Sequence, residues 1–343
     1  MKQQNAVGAV IESIAYVEMY VGNIFQSKNF FMNALKFEHI ASKKTDDKLT
    51  FLMKQGNIYI VITSSLHQDT PIAKHVNEFG DSIKKISFFV HDVAACFEGA
   101  VNNGAIPVFS PQEISGTYAA SVEVFNQVEH EFLPMNSNNK IPGFKYDEHA
   151  CNKHPMIYNI DHIATCHPKN TIDKWVKFYK ETFSFSENTD EDIHSAESGM
   201  HITIMKSPNG KVNLPLVEPS SEKSPLHTYL KYNHGAGVHH IAFQTDDIIA
   251  SVKHYEQFFG ELRKAPPSYY DEVKQLYPEQ VKRIEKVAPY GIMLEQDDKG
   301  ILFQIFTKPV VTRPTLFLEF VQREVCEGFG TVNIKALYET LEV

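Results

Sequence analysis

Three ionisable residues sit inside runs that are otherwise apolar: His162 in IDHIATC, His240 in VHHIAFQ and Glu319 in LFLEFVQ. Burying such a side chain is costly unless it is paired or bound to a metal. The carboxylate is the hardest of the three to dismiss, because left alone it would be strongly destabilising. Two imidazoles and one carboxylate are also the donor set of a non-haem Fe(II) oxygenase. They occupy one face of an octahedron and leave three positions for substrate and O2. The three residues are spaced almost evenly, 78 and 79 positions apart. Equivalent strands of repeated modules would give that spacing. The competing explanation is an ordinary hydrogen-bonded core histidine, which for a lone histidine in an apolar strand is the commoner case. There are 16 histidines in the chain, so most must serve other ends. His239 is the rival ligand beside His240, but strand alternation sends the two to opposite faces, so one of them should reach a metal.

The elements that must position these residues are repeated. IESIAYVEMYVGN from Ile11 and IDHIATCHPKN from Ile160 open alike, and each runs into an amphipathic helical pattern. IKKISFFVHDVAACFEGAVNNGAIPV from Ile83 and VHHIAFQTDDIIASVKHYEQFFGELRKAP from Val238 match as strand, Asp-bearing turn and helix. The chain therefore reads as four strand–helix–strands modules, two per half. Hairpins follow the helices, with reversals at Gly56-Asn57 and Asn209-Gly210. A Pro-, Asn- and Gly-rich stretch over 135–157 divides the halves. The expected domains are 1–140, without metal, and 157–343, catalytic. Sliding one half on the other sets Ser13 opposite His162 and Lys85 opposite His240, so neither position in the first half carries a ligand-type side chain. TDEDIHSAE reads as a solvated loop.

Composition narrows the partners. The 343 residues suggest two domains at roughly 100–200 residues each. With 43% hydrophobic residues there is apolar material for two cores. A net charge of −9 argues against nucleic acid as a partner, since phosphate binding needs a basic face. No run approaches a membrane span, and Glu12 and Glu18 interrupt the apolar N-terminal segment, which makes it a poor secretory signal. The four cysteines lie far apart without a CxxC pair, as expected of free thiols in the cytoplasm. GAGVHH precedes a strand rather than a helix, so it is no phosphate loop.

IDHIATC, GAGVHHIAFQTDDI, PPSYYD, LFQIFTKPV, RPTLFLEFVQRE and GFGTVNIKALYETLE together resemble the 4-hydroxyphenylpyruvate dioxygenase and 4-hydroxymandelate synthase family. The resemblance is dense from Ile160 to Leu341 and mainly architectural before that. It implies an α+β fold of the vicinal-oxygen-chelate type, two domains of paired βαβββ modules forming open barrels, with a C-terminal lid helix. It also implies Fe(II) on His162, His240 and Glu319, a small-molecule 2-oxo acid and O2 as partners, and a homo-oligomer. One branch hydroxylates the ring and forms homogentisate; the other hydroxylates the benzylic carbon. The family's catalytic positions fall on Gln304, Phe329, Asn333 and Ile334. Its substrate positions fall on Ile202, Pro215, Val217, His239, Phe306, Phe317 and Tyr338.

Several of these depart from the homogentisate-forming pattern. His239 replaces Gln, Val217 replaces Asn and Ile334 replaces Phe, while Ile202 and Pro225 stand where polar residues are expected. Val217 and Ile334 match the hydroxymandelate branch, and Pro215 matches the other. A branched aliphatic in place of a flat ring should let the substrate turn its benzylic carbon toward the oxidant. Loss of the amides also weakens the reading of a para-hydroxyl. A catechol-cleaving dioxygenase and a metal-free binding module are the alternatives outside this reaction class.

Overall fold

The computed structural model describes residues 9–135, 140–146, 154–194, 198–258 and 261–341, apart from the side chains of 194 and 338–341. The first module comprises Ile11–Tyr20 (β1), Ile24–Asn33 (α1), Glu38–Lys44 (β2), Lys48–Gln55 (β3) and Ile58–Ser65 (β4). Pro71–Phe79 (α2) leads into Ser82–Val90 (β5), Val93–Asn102 (α3), Ile106–Ile114 (β6), Thr117–Phe125 (β7) and Val128–Pro134 (β8). The third module is Asn159–Cys166 (β9), Ile172–Phe183 (α4), Ser186–His194 (β10), Gly199–Lys206 (β11) and Asn213–Pro219 (β12). Leu226–Tyr232 (α5) precedes Gly237–Gln244 (β13), Ile248–Phe258 (α6) and the two-residue strand Leu262–Arg263 (β14). Here the plan is interrupted by Pro267–Leu276 (α7) and Val281–Val287 (α8), before Met293–Gln296 (β15), Ile301–Thr307 (β16) and Phe317–Glu324 (β17). Thr331–Leu341 (α9) follows.

The strands form two curled sheets of the same design. Their orders are β2-β3-β4-β1-β5-β8-β7-β6 and β10-β11-β12-β9-β13-β17-β16-β14, with β15 also on β16. The fold is α+β, and apart from β15 the two half-barrels correspond strand for strand. Local chemistry explains the module starts. Asp92 and Asp247, at matching places in the two halves, accept from the backbone N–H of Ala95 and Ala250 and so begin α3 and α6. The Gly56 and Gly210 reversals both take positive φ, as tight hairpin turns require. The helices pack where the halves meet. Phe37 contacts Phe243, Phe125 contacts Trp175 and Phe132 contacts Phe183, so one continuous apolar core joins both sheets. No described helix is long and apolar enough to cross a membrane.

One expectation is overturned here. TDEDIHSAE is not wholly a loop: residues up to His194 complete β10, paired antiparallel with β11. This is an edge strand whose side chains are mostly exposed. It therefore lacks the apolar alternation that marks a half-buried strand, and its acidic residues discourage edge-to-edge pairing. Residues 195–197 lie outside the described residues, as do parts of the 135–157 stretch and Cys151. Cys96, Cys166 and Cys326 are buried and free.

Candidate metal centre

β9, β13 and β17 are adjacent strands of the second sheet, and their ladders align three side chains. Ala242 on β13 stands opposite His162 on one side and Glu319 on the other. His162 Nε2 lies 3.1 Å from Glu319 Oε2 and 3.2 Å from His240 Nε2, while His240 Nε2 lies 3.4 Å from Glu319 Oε2. All three side chains are almost fully buried, and among the described residues theirs are the only convergent metal-ligand atoms. Donor atoms held by a small divalent ion at about 2.1 Å stand about 3.0–3.4 Å apart, so the triangle fits one face of a coordination shell.

The remaining polar atoms of His162 and Glu319 are engaged from behind. Asp161 accepts from His162 Nδ1 at 2.8 Å, which leaves Nε2 as the free donor to the centre. Asp161 is itself fixed by a two-pronged contact from Arg323 (2.7 and 2.9 Å) and by Gln244 Nε2 (2.8 Å). Gln304 donates to Glu319 Oε1 at 2.8 Å, so the carboxylate presents Oε2 inward. Asn333 donates to Gln304, and the Tyr269 hydroxyl donates to Asn333 Oδ1. A single hydrogen-bonded chain thus runs from α7 through α9 to the carboxylate. Burial would raise the Glu319 carboxyl, but His162 and His240 outweigh it and hold it at about 2. Burial would lower His162, yet Glu319 and Asp161 raise it to about 9. His240 is lowered by burial, which its contact with Glu319 only partly offsets.

Around the triangle lies a cavity of about 350 Å³. Its lining includes Ile202, Pro215, Val217, Pro225, His239, Gln304, Phe306, Phe317, Phe329 and Ile334. Phe317 stacks on the His240 ring at 4.7 Å, and Phe329 lies edge-on to His162 at 5.5 Å. Two sequence expectations change. Asn333 does not line the cavity; it is fully buried behind Gln304. His239 and His240 do not point to opposite sides; both line the cavity, because a register shift between Val238 and His240 breaks the alternation. The side chain of Tyr338 lies outside the described residues. Sequence reasoning missed Asp161, Gln244, Tyr269, Arg263 and Arg323. Only Asp161 carried a local signal, a second charged residue in the same apolar strand.

The ladders also locate the counterpart of this triangle in the first sheet. There Ser87 takes the place of Ala242, opposite Tyr16 and Glu131. The counterparts of the triad are therefore Tyr16, Lys85 and Glu131. Sliding the sequences sets Ser13 against His162 instead, because register shifts in β1 carry the structural match three residues further along. The Tyr16 hydroxyl donates to Glu131 Oε2 at 2.6 Å, and Lys85 Nζ lies 3.0 Å from Oε1. Glu18 and Glu129 stand 3.6 and 3.8 Å from the same ammonium. Burial would lower Lys85, but these carboxylates and Tyr16 hold it well above the usual lysine range. The first half keeps the carboxylate and answers it with a cation of its own.

The model for the Glyoxalase/Bleomycin resistance protein/Dioxygenase superfamily matches residues 161–269. 4-Hydroxyphenylpyruvate dioxygenase of Yarrowia lipolytica is 30% identical over 95% of this chain and 90% of that protein. The chain belongs to the 4-hydroxyphenylpyruvate dioxygenase and 4-hydroxymandelate synthase family. The Dictyostelium discoideum 4-hydroxyphenylpyruvate dioxygenase is also 30% identical, over 97% of this chain and 98% of that one. A mutant of 4-hydroxymandelate synthase from Streptomyces coelicolor superposes with a TM-score of 0.89 at 29% identity, covering 97% and 98% of the two chains. Family membership makes this chain a dioxygenase of the arylpyruvate type with the vicinal-oxygen-chelate fold. The two branch names both appear among its relatives, so the choice between them rests on the pocket.

Proposed function

We propose that this chain binds Fe(II) through His162, His240 and Glu319, oxidatively decarboxylates an arylpyruvate and places the hydroxyl on the benzylic carbon. A ferrous ion held by these three residues would accept the keto acid as a chelating ligand and would supply the activation of O2. The protein's part is positioning and exclusion of water. Phe306, Phe317 and Phe329 provide aromatic walls, and Gln304 holds Glu319 so that one oxygen alone faces inward.

The observation that carries the benzylic assignment is the aliphatic wall. Val217 and Ile202 share one buried cluster with Met200, and Ile334 packs against it from α9. No flat ring or amide occupies those three positions, so the substrate ring has room to turn and has little polar anchorage on that side. Homogentisate formation is the second reading, favoured by Pro215 and by the names of the curated relatives.

Incubation of the iron-loaded protein with 4-hydroxyphenylpyruvate under air, with products identified by mass, separates the two. Hydroxymandelate with release of CO2 is expected. Homogentisate as the sole product overturns the benzylic assignment, and a triad that binds no Fe(II), tested against His240→Ala, overturns the whole reading.

A further inference from the structure

Arg263 is a second charged feature of the cavity, and no part of the metal centre uses it. It ends the short strand β14, opposite Phe306, which in turn stands opposite Glu319 on β17. Residues in register across a sheet face the same side. Glu319, Phe306 and Arg263 therefore form one row facing the cavity, and all three line it. Two strand spacings put the outer Cα atoms about 10 Å apart. A keto acid held at the triad needs an aromatic ring and one substituent to span that interval.

The guanidinium is half-buried and makes no hydrogen bond or ion pair with any described residue. A guanidinium offers five donors in a fork that suits a carboxylate, and leaving it unpaired beside apolar walls is unfavourable. Phe306 stands opposite Arg263 on β16, and His239, Pro309 and Pro314 line the same cavity. Among the described residues the only carboxylate in the lining is Glu319, which belongs to the triad. Ile202 and Val217 bring no polar group to their side of the cavity, whereas Arg263 stands on β14 at the far edge of the same sheet. The interruption by α7 and α8 permits this, since it ends β14 after two residues and leaves Arg263 free of a longer ladder.

We infer that Arg263 forms an anion subsite for the far end of the substrate, so that the preferred 2-oxo acid carries a carboxylate or similarly acidic oxygen remote from its keto group. This rests on the keto-acid oxygenase reading but not on where the hydroxyl is placed. The test is equilibrium binding to the Fe(II)-loaded protein without O2, using phenylpyruvate, 4-hydroxyphenylpyruvate and 4-carboxyphenylpyruvate. Wild type should bind the 4-carboxy acid roughly 10–100-fold more tightly than phenylpyruvate, with the phenol between them. Arg263→Met should abolish that order and place the 4-carboxy acid last, with phenylpyruvate binding unchanged within about threefold. Arg263→Lys, which keeps the charge but loses the fork, should restore part of the preference. An unchanged melting temperature shows that each variant folds.

Two results overturn the subsite. One is equal binding of all three acids by wild type. The other is equal weakening of all three in Arg263→Met, which would mean that the guanidinium serves only the keto-acid carboxylate they share. Turnover of phenylpyruvate with CO2 release, measured alongside, separates either result from failure of the oxygenase reading.

Discussion

His162 is the residue on which the centre's protonation turns. Without an ion its imidazole is raised to about 9, because Glu319 and Asp161 outweigh the effect of burial. Below that value the free site holds a proton that an incoming ion must displace; above it no proton is in the way. Fe(II) affinity should therefore rise by about tenfold per pH unit between pH 6 and 9 and then level off. Competition titrations with a coloured chelator across that range measure it, and an affinity independent of pH would contradict the assignment of His162. The triad itself was legible in the sequence because an ionisable group in an apolar strand stands out locally. The supports were not. Arg323 reaches Asp161 across 162 residues, and Tyr269 reaches Asn333 across 64, so no local pattern announces either contact.

At the scale of elements, α9 is bound to the metal centre rather than merely lying near it. Asn333 holds Gln304, which holds Glu319, while Glu295 accepts from the backbone N–H groups of Val332 and Asn333 at the helix start. Gly330 makes this close approach possible. Its φ is +80°, and a Cβ there would stand 2.0 Å from Gln304 Oε1. Gly330→Ala should push Gln304 off Glu319 and lower hydroxylated product per O2 consumed by about 10–100-fold, with Fe(II) still bound. Measuring O2 uptake and product together checks this, and full coupling would show that the approach is dispensable. The sequence does show the helix, through the apolar spacing of Ile334 and Leu337, and Gly328 and Gly330 ahead of it. It does not show that one of those glycines is a contact surface. The two-residue β14 was equally hidden, because a strand that short has no periodicity to detect.

Over the whole molecule the duplication governs both architecture and charge. Four modules, their order and their Asp-capped helices could be read from repeated patterns. The pairing of Tyr16 with His162 could not, since bulges alter the register without leaving a mark in composition. Lys85 shows what the first barrel needs. Its ammonium is shared among Glu18, Glu129 and Glu131, so Lys85→Met would leave the buried Glu18 and Glu131 without their cation, while Glu129 keeps Lys84 at 3.2 Å. The variant should lose about 3–5 kcal/mol of stability in denaturant titrations. A loss below about 1 kcal/mol would mean that water or Lys84 takes over the role.

The two halves thus answer the same buried carboxylate differently, one with a tethered ammonium that cannot leave and the other with a place for an exchangeable ion. The molecule carries its own internal reference. A change on metal loading that appears in β13 and β17 but not in β5 and β8 belongs to the ion, whereas one that appears in both pairs belongs to the barrel they have in common.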